Sequence, residues 1–379
     1  MSNANPVKKP YPDFPLFPHR NGQWCKKIRG KHRHFGSVKD GWESALELYQ
    51  LQRDDLYAGR DPQVYDEGLT LADLWTDFLV DFQKRVDRGR VGQGSWNDHQ
   101  RTGKLVVACL GRHTLVSTIR KSDLKRLREG WEDAYAPATI AGHVARVKAV
   151  FAWAYEDEEL IETPIKFGRV FARPAESEFR QHRERSKTKL LTAAQIRSLL
   201  AVATPQMRCC ILLGINMALN NKDCGFLEFR HVDLDTGWVT YPRNKTHCRR
   251  KALLWPETLA AINAYLPKRR RPKSAELADR ILLTRCGGPL AFAHKRDSPI
   301  AKQFSKLRIA AKIPDAASFG ALRHTFRSVA EDNPAKDLTA IRCVMGHADQ
   351  SIDDAYIEYI GDAGLVATSD HVRDWYLRG

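Results

Sequence analysis

Residues 321–326 read Ala-Leu-Arg-His-Thr-Phe, residues 345–347 read Met-Gly-His, and Tyr356 follows nine residues after His347. An arginine, a histidine and a phenol thus share one short stretch. A guanidinium holds a phosphate oxygen bidentately, an imidazole hydrogen-bonds the same group, and a phenol can attack phosphorus. Metal-free cleavage of a nucleic-acid backbone needs these three groups. Each alone has an ordinary structural role: Arg323 on a helix surface, His347 at a helix C-cap, Tyr356 or Tyr359 as a core aromatic. Order and spacing make the set specific.

Working outward, the 379 residues suit two or three domains, and 43% hydrophobic content is enough for packed cores. Lys plus Arg number 61 against 45 Asp plus Glu, a formal net charge of +16. That excess favours a polyanionic partner, double-stranded DNA before a membrane, since no basic amphipathic helix stands out. Eight cysteines are scattered without a Cys-x-x-Cys pair, so no structural zinc, other metal or cofactor is expected. The N-terminal residues lack the apolar core of a signal peptide. The longest apolar run, Cys209 to Leu219, falls short of the ~18 residues of a membrane span. The expected location is the cytoplasm, in association with the nucleoid.

Residues 1–67 read as a basic β/α module. Residues 6–18 are proline-rich, 22–36 β-like, and 41–57 helical. Lys26, Lys27 and Arg29 could lie on DNA phosphates or simply decorate a solvated hairpin. Residues 68–168 read as four helices, with Thr70 as an N-cap and Ile140, Val144, Val147, Val150 and Phe151 on one buried face. Arg146 and Lys148 fall outside that face and are DNA-binding candidates. Residues 169–189 hold seven Lys/Arg against three Glu and read as an exposed basic linker. Residues 190–379 form the second folded unit. In it, strands are expected at 238–241 and 249–254, with helices at 191–203, 205–219, 256–266, 299–312, 321–331 and 338–345. The fold class is mainly α with a small β-sheet.

A helical bundle, a linker, and a mixed domain with a lysine-bearing hairpin and Leu-Arg-His-Thr-Phe, Gly-His and Tyr in that order resembles the tyrosine recombinases, the phage-integrase family. The resemblance covers about 68–379. It implies a core-binding domain at 68–168 and a mixed α/β catalytic domain at 190–379, which together clamp DNA. It further implies that Arg323 holds a non-bridging phosphate oxygen, that His347 hydrogen-bonds that phosphate, and that Tyr356 is the nucleophile. Lys245, in the hairpin, would protonate the departing 5′-oxygen, and Asp223 would support the segment of a first arginine. Arg243, Arg249 and Arg250 flank Lys245 as DNA-binding candidates.

Two positions depart from the family pattern. Asn220 stands where the first arginine is expected, three residues before Asp223, and Gly320 stands where a histidine is expected before Arg323. Loss of one transition-state donor typically costs ~10²–10³ in rate. Candidate replacements are Lys222 first, then Arg243 and His324, although His324 is turned ~100° from Arg323 on a helix.

The leading expectation is a site-specific recombinase or integrase that works through a 3′-phosphotyrosyl intermediate. It would assemble on DNA as a tetrameric synapse, with residues 370–379 docking on a neighbouring protomer or on their own domain. The alternatives are a DNA-binding protein that has lost catalysis, a phosphotyrosyl topoisomerase and, more weakly, an RNA-binding protein.

Overall fold

The computed structural model describes residues 9–60, 68–186, 190–243, 248–293, 298–313, 317–347 and 361–379. They are mainly helical, with two small antiparallel sheets, in line with the expected fold class. The chain divides into two units, Met1–His182 and Arg183–Gly379.

The first unit opens with a sheet of β1 (Phe17–Pro18), β2 (Gln23–Ile28) and β3 (Lys31–Ser37) in that order. Arg29 and Gly30 turn β2 into β3 with φ of 48° and 81°, the left-handed pair that a two-residue hairpin turn needs. Trp24, Ile28 and Phe35 face inward onto Phe14, Leu16 and the buried side of α1 (Glu43–Ala58), made of Ala45, Tyr49 and Leu56. Lys27 and Arg29 are exposed and Lys26 is half-buried.

A second core joins α2 (Leu71–Asp87), α3 (Gln93–Leu110), α4 (Lys121–Glu132) and α5 (Pro137–Ala152). Thr70 caps α2 by accepting from the Asp73 amide at 3.2 Å. The helical period buries Leu71, Leu74, Trp75, Phe78 and Phe82 on α2, and Ile140, Val144, Val147, Val150 and Phe151 on α5. Within the stretch expected to be an open linker, Glu176–Arg185 forms a helix, α6, with no buried residue. Glutamates in its first turn suit the positive end of the helix dipole, and Glu178 accepts from the Ala175 amide at 2.8 Å.

The second unit begins with α7 (Ala193–Val202), capped by Thr192, and α8 (Pro205–Asn216), which is almost wholly buried. Short α9 (Asn221–Phe226) follows, then the hairpin of β4 (Trp238–Thr240) and β5 (Lys251–Leu253). The strands are shorter than expected, yet the pairing runs on toward the turn. The Tyr241 amide donates to Arg250 O at 3.0 Å, and the Arg243 amide to Cys248 O at 2.9 Å. Helices α10 (Pro256–Tyr265), α11 (Pro299–Ala310), α12 (Gly320–Asp332), α13 (Leu338–Met345) and α14 (Asp362–Arg378) complete the unit.

Two packing features position the site. A Cβ on Gly214 would lie 2.7 Å from Leu322 Cδ1 and 3.3 Å from Phe319 Cζ, so the glycine lets α12 rest directly on α8. Helix α14 packs on its own unit. Tyr376 stacks on Trp255 at 5.5 Å, and Arg373 holds Glu257 through two bonds of 2.7 and 2.9 Å. Residues 370–379 therefore dock on their own domain. Among the described residues, no helix is long and apolar enough to cross a membrane, and no group of three or more His, Cys, Asp and Glu is placed to hold a metal ion.

Candidate phosphate-binding site

Arg323 lies in the first turn of α12, half-buried, with its guanidinium plane fixed from three sides. Nη1 donates to Ala218 O at 2.8 Å, and Nη2 donates to Met345 O at 2.9 Å and to His347 Nε2 at 2.7 Å. A guanidinium only donates, so His347 Nε2 is the acceptor and the neutral ring carries its proton on Nδ1. Ala218 has a φ of 54°, a left-handed conformation uncommon outside glycine, at the bend after α8 that offers its carbonyl to Arg323.

Gly346 caps α13 with a φ of 61° and sets His347 just beyond the helix end. A Cβ there would lie 3.0 Å from both Arg243 Cβ and Arg250 Nε, so the missing side chain is what allows the hairpin to close on this bend. The hairpin brings two arginines. Arg243 Nη1 donates to Gly346 O at 3.3 Å. Arg250 is fully buried, and its Nη2 donates to Asp223 Oδ2 at 3.1 Å and to Met345 O at 3.4 Å. Among the described residues, Arg250 Nε, Arg250 Nη1 and Arg243 Nε are buried without a hydrogen-bond partner.

The electrostatics follow from this crowding. Burial first, then the neighbouring Arg243 and Arg250, pull the Arg323 pKa down to about 10, which leaves it a cation at neutral pH. Burial and then Arg323 and Arg243 push His347 down to about 4, so it is neutral there. Of the three guanidiniums, Arg250 pairs with the carboxylate of Asp223, while Arg323 and Arg243 donate to backbone carbonyls beside it.

Asp223 Oδ2 also accepts from the Asn220 amide at 3.2 Å. Asn220 Oδ1 accepts from the Lys222 and Asp223 amides at 2.8 and 3.0 Å, so this side chain serves as the N-cap of α9. Lys222, the first candidate for the missing arginine, donates its ammonium to Ala293 O at 2.9 Å. The cations placed beside Arg323 are instead Arg243 and Arg250. His324 is exposed, as its helical angle implied. A Cβ on Gly320 would meet only Ser318 Oγ, at 3.6 Å.

Lys245, Tyr356 and Tyr359 lie outside the described residues. Arg249 is exposed beside Arg250. In the first unit, Arg146 Nη1 turns inward to Thr102 Oγ1 at 3.0 Å and His143 Nδ1 at 3.2 Å, while exposed Lys148 holds its ammonium 5.5 Å over the Phe167 ring. Sequence reading grouped Arg250 with Arg249 and missed its burial against Asp223. The available signal was Asp223 itself, an acid with no cation at the position three residues before it.

No family model matches the sequence, and no curated protein matches it either. Solved structures do. The Tn1549 transposon integrase bound to transposon right end DNA superposes with a TM-score of 0.57 at 15% identity, over 80% of this chain and 100% of that one. The lambda integrase tetramer bound to a Holliday junction gives a TM-score of 0.56 at 15% identity, over 91% and 95%. A lambda integrase dimer on a COC′ core site gives 0.55 at 15% identity, over 94% and 99%. At this identity the likeness is one of fold, and the chain has the fold of the tyrosine-recombinase integrases.

Proposed function

We propose that the chain is a site-specific DNA recombinase that cuts and rejoins strands through a phosphotyrosyl intermediate. The observation that carries this reading is the Arg323–His347 pair at 2.7 Å, set among Arg243 and Arg250 on an integrase fold. These donors suit the non-bridging oxygens of one phosphodiester, whose developing charge they would stabilise. Tyr356 would attack the phosphorus, forming a P–O bond to the phenol as the P–O5′ bond breaks. The phenol proton passes to water, and Lys245 protonates the departing 5′-oxygen. The product is a 3′-phosphotyrosyl link with a free 5′-hydroxyl, and the reverse step joins a second strand. The energy of the broken bond is kept in the link. Several protomers would assemble on two DNA sites, a reading supported by the lambda integrase tetramer bound to a Holliday junction, with the nucleoid as the place of action.

A second reading, a recombinase-like DNA-binding protein without chemistry, is favoured by Asn220 and Gly320. One is engaged as a helix cap and the other has no side chain. A pool of nicked duplexes with randomised cores separates the two. The first reading expects a denaturant-resistant protein–DNA adduct with wild type and none with Tyr356→Phe. Salt-sensitive retention of duplex without any adduct would establish the second.

A further inference from the structure

We propose that Arg250, delivered by the hairpin, is a phosphate-contacting arginine that takes the place left open by Asn220 on α9. The proposal rests on the phosphodiester reading above and extends it to a residue that the motif does not mark.

Arg250 is fully buried, yet two of its three nitrogens, Nε and Nη1, have no partner among the described residues. Donors left unmet in the interior cost free energy until an acceptor arrives. The third nitrogen, Nη2, is anchored on Asp223 and on the Met345 carbonyl. Arg323 uses the same carbonyl, so one peptide oxygen ties the two guanidiniums together. Arg243 Nε is likewise buried and unmet. Among the described residues, Arg243, Arg250 and Arg323 gather here with Asp223 as the carboxylate in contact, Arg327 adds a further positive charge, and His347 is neutral, so positive charge is in excess. The spare donors come from the two facing limbs of the hairpin stem, Arg243 on one and Arg250 on the other. A tetrahedral oxyanion with several acceptor oxygens answers that distribution better than a flat carboxylate does. Asn220 brings no charge to this role, and its Oδ1 is engaged in accepting from the Lys222 and Asp223 amides. Lys222 is exposed and directs its ammonium to Ala293 O instead.

The test uses the full chain as wild type, Arg250→Gln and Arg250→Lys, with Lys306→Gln on the exposed face of α11 as a control. Adduct formation is followed on two nicked duplexes, one with a normal scissile phosphate and one with a neutral methylphosphonate there. On the phosphodiester, Arg250→Gln is expected to slow adduct formation by ~10²–10³, with partial recovery in Arg250→Lys. On the methylphosphonate the loss should be much smaller, because one negative charge fewer needs compensation. An equal loss on both substrates, or no loss, overturns the proposal. If Arg250→Gln leaves Asp223 unpaired and fails to fold, the double variant Asp223→Asn, Arg250→Met removes both charges and is scored in the same way. If wild type forms no adduct on any DNA, the strand-exchange reading fails on its own. Arg250 is then judged by inorganic phosphate at constant ionic strength. Phosphate that raises the unfolding temperature of wild type and of Lys306→Gln, but not of the Arg250 variant, supports the site; equal protection of all three overturns it.

Discussion

At the scale of single residues, the site is an arrangement of donors around the peptide carbonyls of Ala218, Met345 and Gly346. Met345 O accepts from Arg323 and Arg250, and Gly346 O from Arg243. The motif made Arg323 and His347 legible, because their neighbours in sequence carry the pattern. Arg250 was not legible as part of the centre, since its partner Asp223 lies 27 residues away and only the folded hairpin joins them. Gly320 offers a direct check. Space is open around its Cβ position, and the residue opens α12 next to Arg323. Gly320→His should therefore fold normally and raise the rate of adduct formation by about tenfold or more, if a restored donor reaches the phosphate. A variant that folds and reacts no faster than wild type would show that the imidazole does not point there.

At the scale of elements, two short-range devices place the donors. The first is the cap of α9. Asn220→Ala removes an acceptor for two amides and should cost about 1 kcal/mol in urea denaturation. Its effect on adduct formation should be far smaller than that of any Arg250 variant, because the Asn220 side chain faces its own helix. The second is the contact of α8 with α12. Gly214→Ala sets a methyl group against Leu322 and should destabilise by roughly 1–3 kcal/mol. It should also lower adduct yield beyond what the unfolded fraction explains, since Leu322 adjoins Arg323. Helices with a buried apolar face were readable from their period, as α2 and α5 show. Helix α6 was not, because it buries nothing and its Glu and Arg side chains read equally well as solvated chain. Residues 370–379 were read only as a docking segment, and the helix that carries them, α14, is stabilised by distant partners, Trp255 and Glu257.

At the scale of the whole molecule, three apolar cores follow the composition shifts visible along the chain. The second core carries an acid sensitivity. His99 packs between Phe78 and Phe82, with ring centroids 4.8 Å from each, and burial first, then Arg146, lowers its pKa to about 4. His143 is lowered to about 4 by burial and then Arg146. An unfolded histidine titrates near ~6.5. Between pH 6.5 and about 4, the unfolded chain binds protons that the folded chain refuses, so stability falls as pH falls through that window. Thermal unfolding of the full chain from pH 7 to pH 5 should show the drop, and His143→Gln should flatten it. A midpoint insensitive to pH in both proteins would contradict the assignment.

The bend at Gly346 has a consequence for which side chains the cradle tolerates. It aligns carbonyl oxygens, which every residue type possesses, and so letters can drift around it while the cradle endures. A centre held by main chain in this way admits an arginine from any strand that can reach it.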